Sequence, residues 1–467
     1  MESISIFDIF KIGVGPSSSH TLGPWKAASQ FVDHLAGKEI STVKVHLYGS
    51  LSKTGIGHAT DKAVILGLMG YDPKTIECHS IDSIIQEVLD SSQIKINSDK
   101  IAFSYAQDII FESYEHDLHP NTLKFEAYSG DILIKEELFA SVGGGFIECP
   151  GVSVEEDHKI ELPFPIIKGS DILEYTDAHS CAISDIVEKN ESSIRSSSEI
   201  EARIEEILNT ILHSMYEGCH TEGVLPGGLN VSRRAKGICE KLLGGSSYES
   251  MEEWLELVRE HPKDFNSVNK WVSCFALAVN EENASLGRIV TSPTNGAAGV
   301  IPAVIMYYML FCDFKGKDEL KRFLFTAGEI GCIFKKGATI SAAMGGCQAE
   351  IGVSSAMAAA ALTEVLGGSP EQCLVAAEIA MEHHLGLTCD PIKGLVQVPC
   401  IERNAMGAIK AITAANLALE TDPSKSIVHI DQVINTMWEV AQDMNSKYKE
   451  TSEGGLAISL PVIRPNC

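Results

Sequence analysis

The sequence predicts a multidomain protein in which an N-terminal α+β domain precedes an all-α domain. The chain has 467 residues, which exceeds the ~250–300 at which a single hydrophobic core usually stops growing. The spacing of the apolar residues also changes between about residues 150 and 195, from every second position to the period of a helix. We therefore predict an α+β domain over 1–155, a linker over 156–195 and an all-helical domain over 196–467.

Strands and helices share the predicted first domain. Three runs alternate apolar and polar side chains, which is typical of strands: STVKVHLYGS (41–50), KIAFSYAQDIIFES (100–113) and NTLKFEAYSGDILIKEELFASVGGGFIE (121–148). The segment TDKAVILGLMG (60–70) fits a helix between them. Antiparallel hairpins are expected from such an order. The next segment, 148–170, is charged, contains prolines and has no sustained period, so we interpret it as the start of a linker.

Helical patterns follow one another from residue 200 onward. The segment 200–220 carries one apolar stripe, and later segments are rich in Ala and Gly, which predicts tightly packed, mostly buried helices. The stretch GAAGVIPAVIMYYMLFCDF (296–314) is almost continuously apolar. However, Pro302 interrupts it and Asp313 ends it, whereas ~20 apolar residues are needed to cross a bilayer. We predict a core helix there, not a membrane span.

The composition is that of a globular protein with an acidic excess. Lys and Arg total 37 against 63 Asp and Glu, which gives a net charge of −26. That charge repels nucleic acids and anionic lipid surfaces, so neither is an expected partner. The first residues lack the basic segment, apolar core and cleavage site of a secretory signal. We expect a cytoplasmic protein.

Thirteen cysteines occur without the dense spacing of a disulfide framework, so reduced thiols are expected. Cys274 and Cys332 lie in apolar helical patterns, which predicts buried packing. Cys347, Cys389 and Cys400 instead lie beside glycine and proline breaks. Packing and metal binding are both open for these three. A zinc site would more often show close CxxC pairs, whereas iron–sulfur clusters tolerate wider spacing.

The sequence segments around these three cysteines are more informative about the protein family than the spacing of the cysteines. GGCQAEIGVSSAMAAA (345–360) and CDPIKGLVQVPCIERNA (389–405) resemble the catalytic α domain of the bacterial iron–sulfur L-serine dehydratases, which do not use pyridoxal phosphate. SSSHTLGPWKAA (17–28), GSLSKTGIGHATDKAVILGL (49–68) and TSPTNGAAGVIP (291–302) resemble further segments of the same family. The resemblance covers nearly the whole chain, with the β domain first and the α domain second.

This resemblance implies a 4Fe-4S cluster bound by Cys347, Cys389 and Cys400. Three protein ligands leave one iron open, and an open metal position can act as a Lewis acid on the serine hydroxyl. The terminal Cys467 is a candidate for a fourth ligand in the resting enzyme. The family's β domain resembles the allosteric substrate-binding domains of some serine-pathway dehydrogenases, so a regulatory serine site is also expected. The apolar helical domain favours a homodimer.

Dehydration of L-serine also requires a base for the α-proton. The candidates are His20 in SSSHT and His58 in GIGHATD, because a neutral imidazole is available at physiological pH. Gly55 and Gly57 would let a ligand approach the backbone beside His58, which favours it slightly. A satisfied or solvated histidine is the alternative for each, since the chain has 15.

Hydroxyl and amide side chains in the family-like segments are candidates for binding the substrate's carboxylate or ammonium group. Helix capping is the alternative role for each of them. They are Ser17, Ser18, Ser19, Thr21, Thr291, Thr294 and Asn295. Because the candidates lie in both predicted domains, we expect the active site at the interface between the domains.

Two other functions remain open at this stage. The same cluster chemistry fits a related β-elimination, such as L-cysteine desulfidation or dehydration of a hydroxy acid. A non-enzymatic iron–sulfur sensor of amino acids is the alternative outside enzymes, which the acidic charge and the missing DNA-binding motif disfavour. Lys335 and Lys336 before Gly337 do not form a convincing pyridoxal-phosphate site.

Overall fold

A computed structural model describes residues 4–150 and 162–459 of the chain. In the N-terminal part the elements are, in chain order, α1 (Ile6–Ile9), β1 (Ile12–Val14), α2 (Gly23–Asp33), β2 (Thr42–Leu47), α3 (Gly49–Thr54), α4 (Thr60–Leu68), α5 (Ile81–Ser91), β3 (Gln93–Ile96), β4 (Asp99–Ala102), α6 (Tyr105–Asp108), β5 (Ile109–Phe111), β6 (Thr122–Ser129), β7 (Ile132–Ser141) and β8 (Ile147–Glu148).

A five-stranded sheet in the order β5-β2-β6-β7-β8 organises this part. Buried and partly exposed residues alternate along β2, and its buried Val43 and Val45 pack in one core with Phe31 of α2 and Val64 of α4. Strands β6 and β7 form a hairpin whose turn contains Gly130 at φ 57°, a conformation that favours glycine. The predicted α4 and hairpin are confirmed. However, β2 and β5 are parallel, so the sheet is mixed.

The C-terminal part is mostly helical. Its elements are α7 (Gly169–His179), α8 (Ile183–Ser192), α9 (Ser197–His220), α10 (Ala235–Leu243), α11 (Met251–Glu260), α12 (Phe265–Ala284), β9 (Arg288–Val290), α13 (Val300–Phe311), α14 (Lys317–Gly337), α15 (Ala342–Gly345), α16 (Ile351–Val365), α17 (Pro370–Glu382), α18 (Cys400–Leu419), α19 (Ile430–Asp443) and α20 (Leu456–Ser459).

Helix α16 is the centre of this part. Every one of its residues is buried, and it packs against α13, α14, α17 and α18. Its alanine side chains are short, so the backbones of the neighbouring helices can approach closely. The predicted core helix in the apolar stretch is α13. Within the described ranges, no helix combines the length and apolar character that a membrane crossing requires.

The first residues of the chain depart from the predicted order. Helix α1 contributes Ile6, Phe7 and Ile9 to the helical core, not to the core of the sheet. Strand β1 pairs antiparallel with β9, and Ile12 lies opposite Val290. A strand therefore occurs inside the region predicted as all-helical. Three-residue strands carry too little periodicity to be recognised locally, and their pairing here joins residues almost 280 positions apart.

The predicted linker 156–195 is also more ordered than expected. Residues 151–161 lie outside the described residues. Helices α7 and α8 follow, and Ile172, Ile183 and Ile186 are buried in the helical core. The linker interpretation is therefore wrong over these two helices. It rested on the charged, proline-containing beginning of the segment, whereas the apolar positions of α7 and α8 begin only afterwards. The exact domain limits stay predictions.

Candidate active site

Three buried thiols meet in the helical part. Cys347 lies in a 3₁₀ turn after α15, Cys389 lies in the loop after α17, and Cys400 is the first residue of α18. Cys347 and Cys389 are hydrogen-bonded through their side chains, and Cys400 lies close enough to interact electrostatically with Cys347. The loops that sequence analysis singled out are thus brought together. By contrast, Cys274 and Cys332 are fully buried in helices, which confirms packing for those two.

A guanidinium compensates the negative charge that thiolates would bring to this place. Arg403 contacts Cys347 and interacts with the other two thiols. It also donates hydrogen bonds to the carbonyl of Thr388, at 2.5 Å, and to the carboxylate of Asp390, at 3.3 Å. The hydrogen bond with Cys389 and the charge of Arg403 lower the pKa of Cys347 to about 7. Sequence analysis missed Arg403, although it lies one helical turn after Cys400.

Two histidines from the N-terminal part stack beside one another. His20 lies in a π-helical turn, Ser18–Leu22, and His58 lies in the loop between α3 and α4. Their ring centroids are 4.4 Å apart and both side chains are buried. Burial lowers the pKa of His58 to about 4, and burial together with His58 lowers the pKa of His20 well below its usual value. Both rings are therefore neutral at physiological pH.

The hydrogen bonds around the two rings fix different tautomers. His58 Nδ1 lies 3.0 Å from the carbonyl oxygen of Thr54. A carbonyl only accepts, so Nδ1 carries the proton and Nε2 carries the lone pair. Ser50 donates its hydroxyl proton to the carbonyl of Glu450, so His20 Nε2, 3.0 Å away, must donate to Ser50. The remaining lone pair of His20, on Nδ1, faces the Ser19 hydroxyl at 2.9 Å.

Glu450 links the histidines to the cysteine loops. Its carboxylate oxygen Oε1 lies 3.5 Å from His20 Nδ1 and 3.5 Å from His58 Nε2. Its backbone N–H donates to the carbonyl of Cys389 at 2.8 Å, and the N–H of Cys389 donates to the carbonyl of Tyr448 at 2.8 Å. Sequence analysis missed Glu450, because nothing in the polar segment KYKETSEGG distinguishes it from a solvated loop.

A second carboxyl group, that of Glu350, lies beside the thiols. One of its oxygens and the sulfurs of Cys347 and Cys389 all lie within 4.8 Å of one another. Thr294 faces this carboxyl group, and burial together with Cys347 raises the pKa of Glu350 to about 8. The nearby loop passes so closely that a Cβ added at Gly296 would lie 2.7 Å from Glu350 Oε2.

The glycines near His58 serve a different purpose from the one predicted. A Cβ at Gly57 would lie 2.7 Å from the carbonyl oxygen of Gly394 and 2.8 Å from that of Lys393. A Cβ at Gly55 would lie 2.0 Å from the carbonyl oxygen of Leu51. These glycines admit neighbouring backbone, so the histidine loop packs directly on the loop that joins Cys389 to Cys400.

The hydroxyl residues predicted to bind the substrate are all buried, but they contact different groups. Ser19 faces both His20 and the carboxyl group of Glu450. Ser17 accepts from the backbone N–H of His20, and Thr21 donates to the carbonyl of His58, so both hold the histidine loops. Ser18 is buried in the same turn.

The other two candidates of the 291–302 segment cross-link the two parts of the chain. Thr291 donates to the carbonyl of Ile9 at 2.6 Å and accepts from the N–H of Lys11. The amide of Asn295 donates to Asn283 and to the carbonyl of Val14. Cys467, the predicted resting ligand, lies outside the described residues.

Comparison with known proteins covers both parts of the chain. A family model described as serine dehydratase beta chain matches residues 5–150, and one described as serine dehydratase alpha chain matches residues 178–457. The chain is 44% identical over 470 residues to L-serine dehydratase 1 of Escherichia coli K12, covering 98% of this chain and 99% of the relative. It is 42% identical over 465 residues to L-serine dehydratase of Haemophilus influenzae and 43% identical over 468 residues to that of Streptomyces coelicolor, each at 98% and 99% coverage.

Proposed function

The chain belongs to the serine dehydratase family, and from this premise we propose that it converts L-serine to pyruvate and ammonia. The observation that carries the proposal is a buried group of ionisable side chains. Two neutral histidines lie beside Glu450, Glu350 lies beside the thiols of Cys347 and Cys389, and Cys400 is close enough to interact electrostatically with Cys347. Both parts of the chain contribute to it. The reaction requires both a polarised hydroxyl and a base at the α-carbon. The thiols can hold a metal cluster that polarises the hydroxyl, and a neutral histidine can act as the base.

Cys347, Cys389 and Cys400 are the proposed ligands of a 4Fe-4S cluster. Their chemistry fits, because thiolates are the usual ligands of such clusters and Arg403 offsets their charge. With three protein ligands, such a cluster would keep one exchangeable position. When bound, such a cluster supplies a Lewis acid that weakens the carbon–oxygen bond of the serine hydroxyl.

His58 is the proposed base. Its Nε2 lone pair faces the carboxyl group of Glu450 at 3.5 Å, while the lone pair of His20 is engaged by the hydroxyl of Ser19 at 2.9 Å. His58 takes the α-proton, and the electrons of that C–H bond form a double bond to the β-carbon. The β-hydroxyl leaves with the electrons of the C–O bond as hydroxide, and the proton that His58 accepted converts it to water and restores the neutral imidazole. The resulting aminoacrylate tautomerises to an imine, which water hydrolyses to pyruvate and ammonia. His20 then positions the ring of His58 by stacking on it.

The substrate carboxylate is proposed to bind among the buried hydroxyls beside the histidines and the thiols. Ser19 and Thr294 are favoured, because they face the catalytic groups. Ser17, Ser18 and Thr21 are proposed to support this site from the same turn. Thr291 and Asn295 are proposed to hold the neighbouring loop in place.

Cys467 remains a proposed fourth ligand in the resting state, displaced by serine. The prediction is tested with a variant that lacks Cys467, by recording the absorbance and paramagnetic spectra of the cluster with and without L-serine. An unchanged resting spectrum contradicts ligation.

Three coarser expectations accompany the proposal. The N-terminal part is proposed to bind serine as a regulator, which predicts two serine-binding events per chain in equilibrium titration; a single hyperbolic site contradicts it. A homodimer is proposed, and it is supported by exposed apolar side chains such as Phe265 and Leu417. Light scattering measures the mass of the particle in solution and so tests this proposal. The proposed location is the cytoplasm.

The experiment that tests the function is a pyruvate assay on protein purified without oxygen. L-Serine, L-threonine and L-cysteine are compared as competing substrates. We expect the highest kcat/KM with L-serine. A preference for L-cysteine with release of sulfide would favour a desulfidase, and a cluster that changes state without any turnover would favour a sensor.

A further inference from the structure

The carboxyl group of Glu450 is buried, and one of its two oxygens lacks a hydrogen-bond partner among the described residues. The residue is 4% exposed. Oε1 lies between the two histidines, whereas Oε2 is fully buried and has no hydrogen-bond partner in the described structure. A buried carboxylate oxygen without a partner carries a large desolvation cost, which a cationic ligand removes.

L-Serine brings one cation, its α-ammonium group. That group and the proton removed in the reaction are bonded to the same carbon, so the ammonium group must lie beside the base. Glu450 is the carboxyl group next to His58 Nε2, at 3.5 Å. Glu350 lies instead beside Cys347 and Cys389, where the substrate's hydroxyl is expected.

We propose that Glu450 binds the α-ammonium group of the substrate and thereby selects α-amino acids over hydroxy acids. This inference rests on the proposed function. In the bound complex the ammonium group donates a hydrogen bond to Oε2, and the α-proton faces the free lone pair of His58. Glu450 is thus a binding and specificity residue, while His58 takes the proton.

The backbone holds Glu450 in place for this task. Its N–H and its carbonyl are bonded to Cys389 and Ser50 respectively, at 2.8 and 2.7 Å. Residue 450 also adopts φ 59°, an uncommon conformation for a residue with a side chain.

The test compares two competitive inhibitors that differ only in the α-ammonium group, L-alanine and propanoate. Inhibition constants are measured against L-serine for the wild type, E450Q and E453Q, and binding of both inhibitors is also measured by calorimetry. Glu453 is the matched control, because it lies on the same loop with a half-exposed side chain that pairs with Lys53 at 3.3 Å. Iron content and circular dichroism report whether each variant is intact.

We expect E450Q to weaken L-alanine binding about 10- to 100-fold, the cost of removing a hydrogen bond between charged groups. Propanoate binding should change by less than about threefold, because propanoate never engages Glu450. E453Q should leave both constants unchanged. Equal weakening of the two inhibitors, or no weakening of L-alanine, would overturn the proposal.

A second variant covers the case in which E450Q does not fold. E450D keeps the charge and withdraws the carboxylate by one methylene, so L-alanine binding should again fall selectively. Equal effects on both inhibitors in E450D would overturn the proposal as well. Failure of the wild type to release pyruvate from L-serine would instead refute the proposed function, which keeps the two failures distinct.

Discussion

Replacing His58 by alanine should abolish most of the activity without removing the metal site. General-base catalysis typically contributes about 10²- to 10⁴-fold, so kcat should fall by that factor, about 3–5 kcal/mol of transition-state stabilisation. The control is His34→Ala, because His34 pairs with Glu137 of β7 at 3.0 Å and contacts neither His20 nor Glu450 in the described structure. Iron content of the variant should equal that of the wild type.

The pH profile of the wild type sharpens this prediction. Burial lowers the pKa of His58 to about 4, so the proton-accepting form persists as the pH falls. kcat/KM should therefore stay level from about pH 7.5 to 5.5, whereas a base with the ordinary pKa of ~6.5 would lose about tenfold by pH 5.5. Stopped assays of pyruvate over this range measure it. A tenfold decline, or a His58→Ala variant that keeps more than about a tenth of the wild-type kcat, would refute the assignment.

Three further substitutions test other parts of the account. Glu329 is buried with one unpartnered oxygen, and burial raises its pKa from 4.5 to about 7. Glu329→Gln should therefore stabilise the fold by up to about 3 kcal/mol at pH 8. The gain should fall below about 0.5 kcal/mol near pH 4.5, where the carboxyl group is protonated in the folded state and half protonated in the unfolded state. Thermal unfolding at the two pH values measures this, and equal effects would contradict it. Cys400→Ser should lose iron, whereas the packing thiol variant Cys274→Ser should retain it in elemental analysis. Gly57→Ala should cost about 1–3 kcal/mol of stability and reduce iron content by displacing the loop between the ligand cysteines. Gly237→Ala should be tolerated, because Gly237 faces open space on α10. A greater loss of stability in Gly237→Ala than in Gly57→Ala would contradict the packing described.

The sequence predicted the elements whose signal is local. Strand β2 alternates buried and partly exposed residues, and α16 is an alanine-rich run buried on all sides. The three thiols were recognised because glycine and proline breaks set them apart from the packing cysteines. Gly57 allows the loop of His58 to pack closely on the loop that joins Cys389 to Cys400.

Features that depend on distant partners could not be predicted in the same way. Helix α1 packs on α14, which is more than 300 residues away along the chain, so no local pattern shows which core it joins. Glu450 follows Cys400 by 50 residues and resembles any polar loop residue, yet two backbone hydrogen bonds place it beside Cys389. The choice between the two histidines likewise depends on Thr54 and Ser50, whose positions no local pattern reveals.

The central claim is that Cys347, Cys389 and Cys400 hold a cluster next to His58. The most direct measurement is the iron and acid-labile sulfide content of protein purified without oxygen, taken together with its rate of pyruvate formation from L-serine. About four iron and four sulfide per chain are expected, with activity proportional to both. Protein that contains no iron and still deaminates L-serine would contradict it.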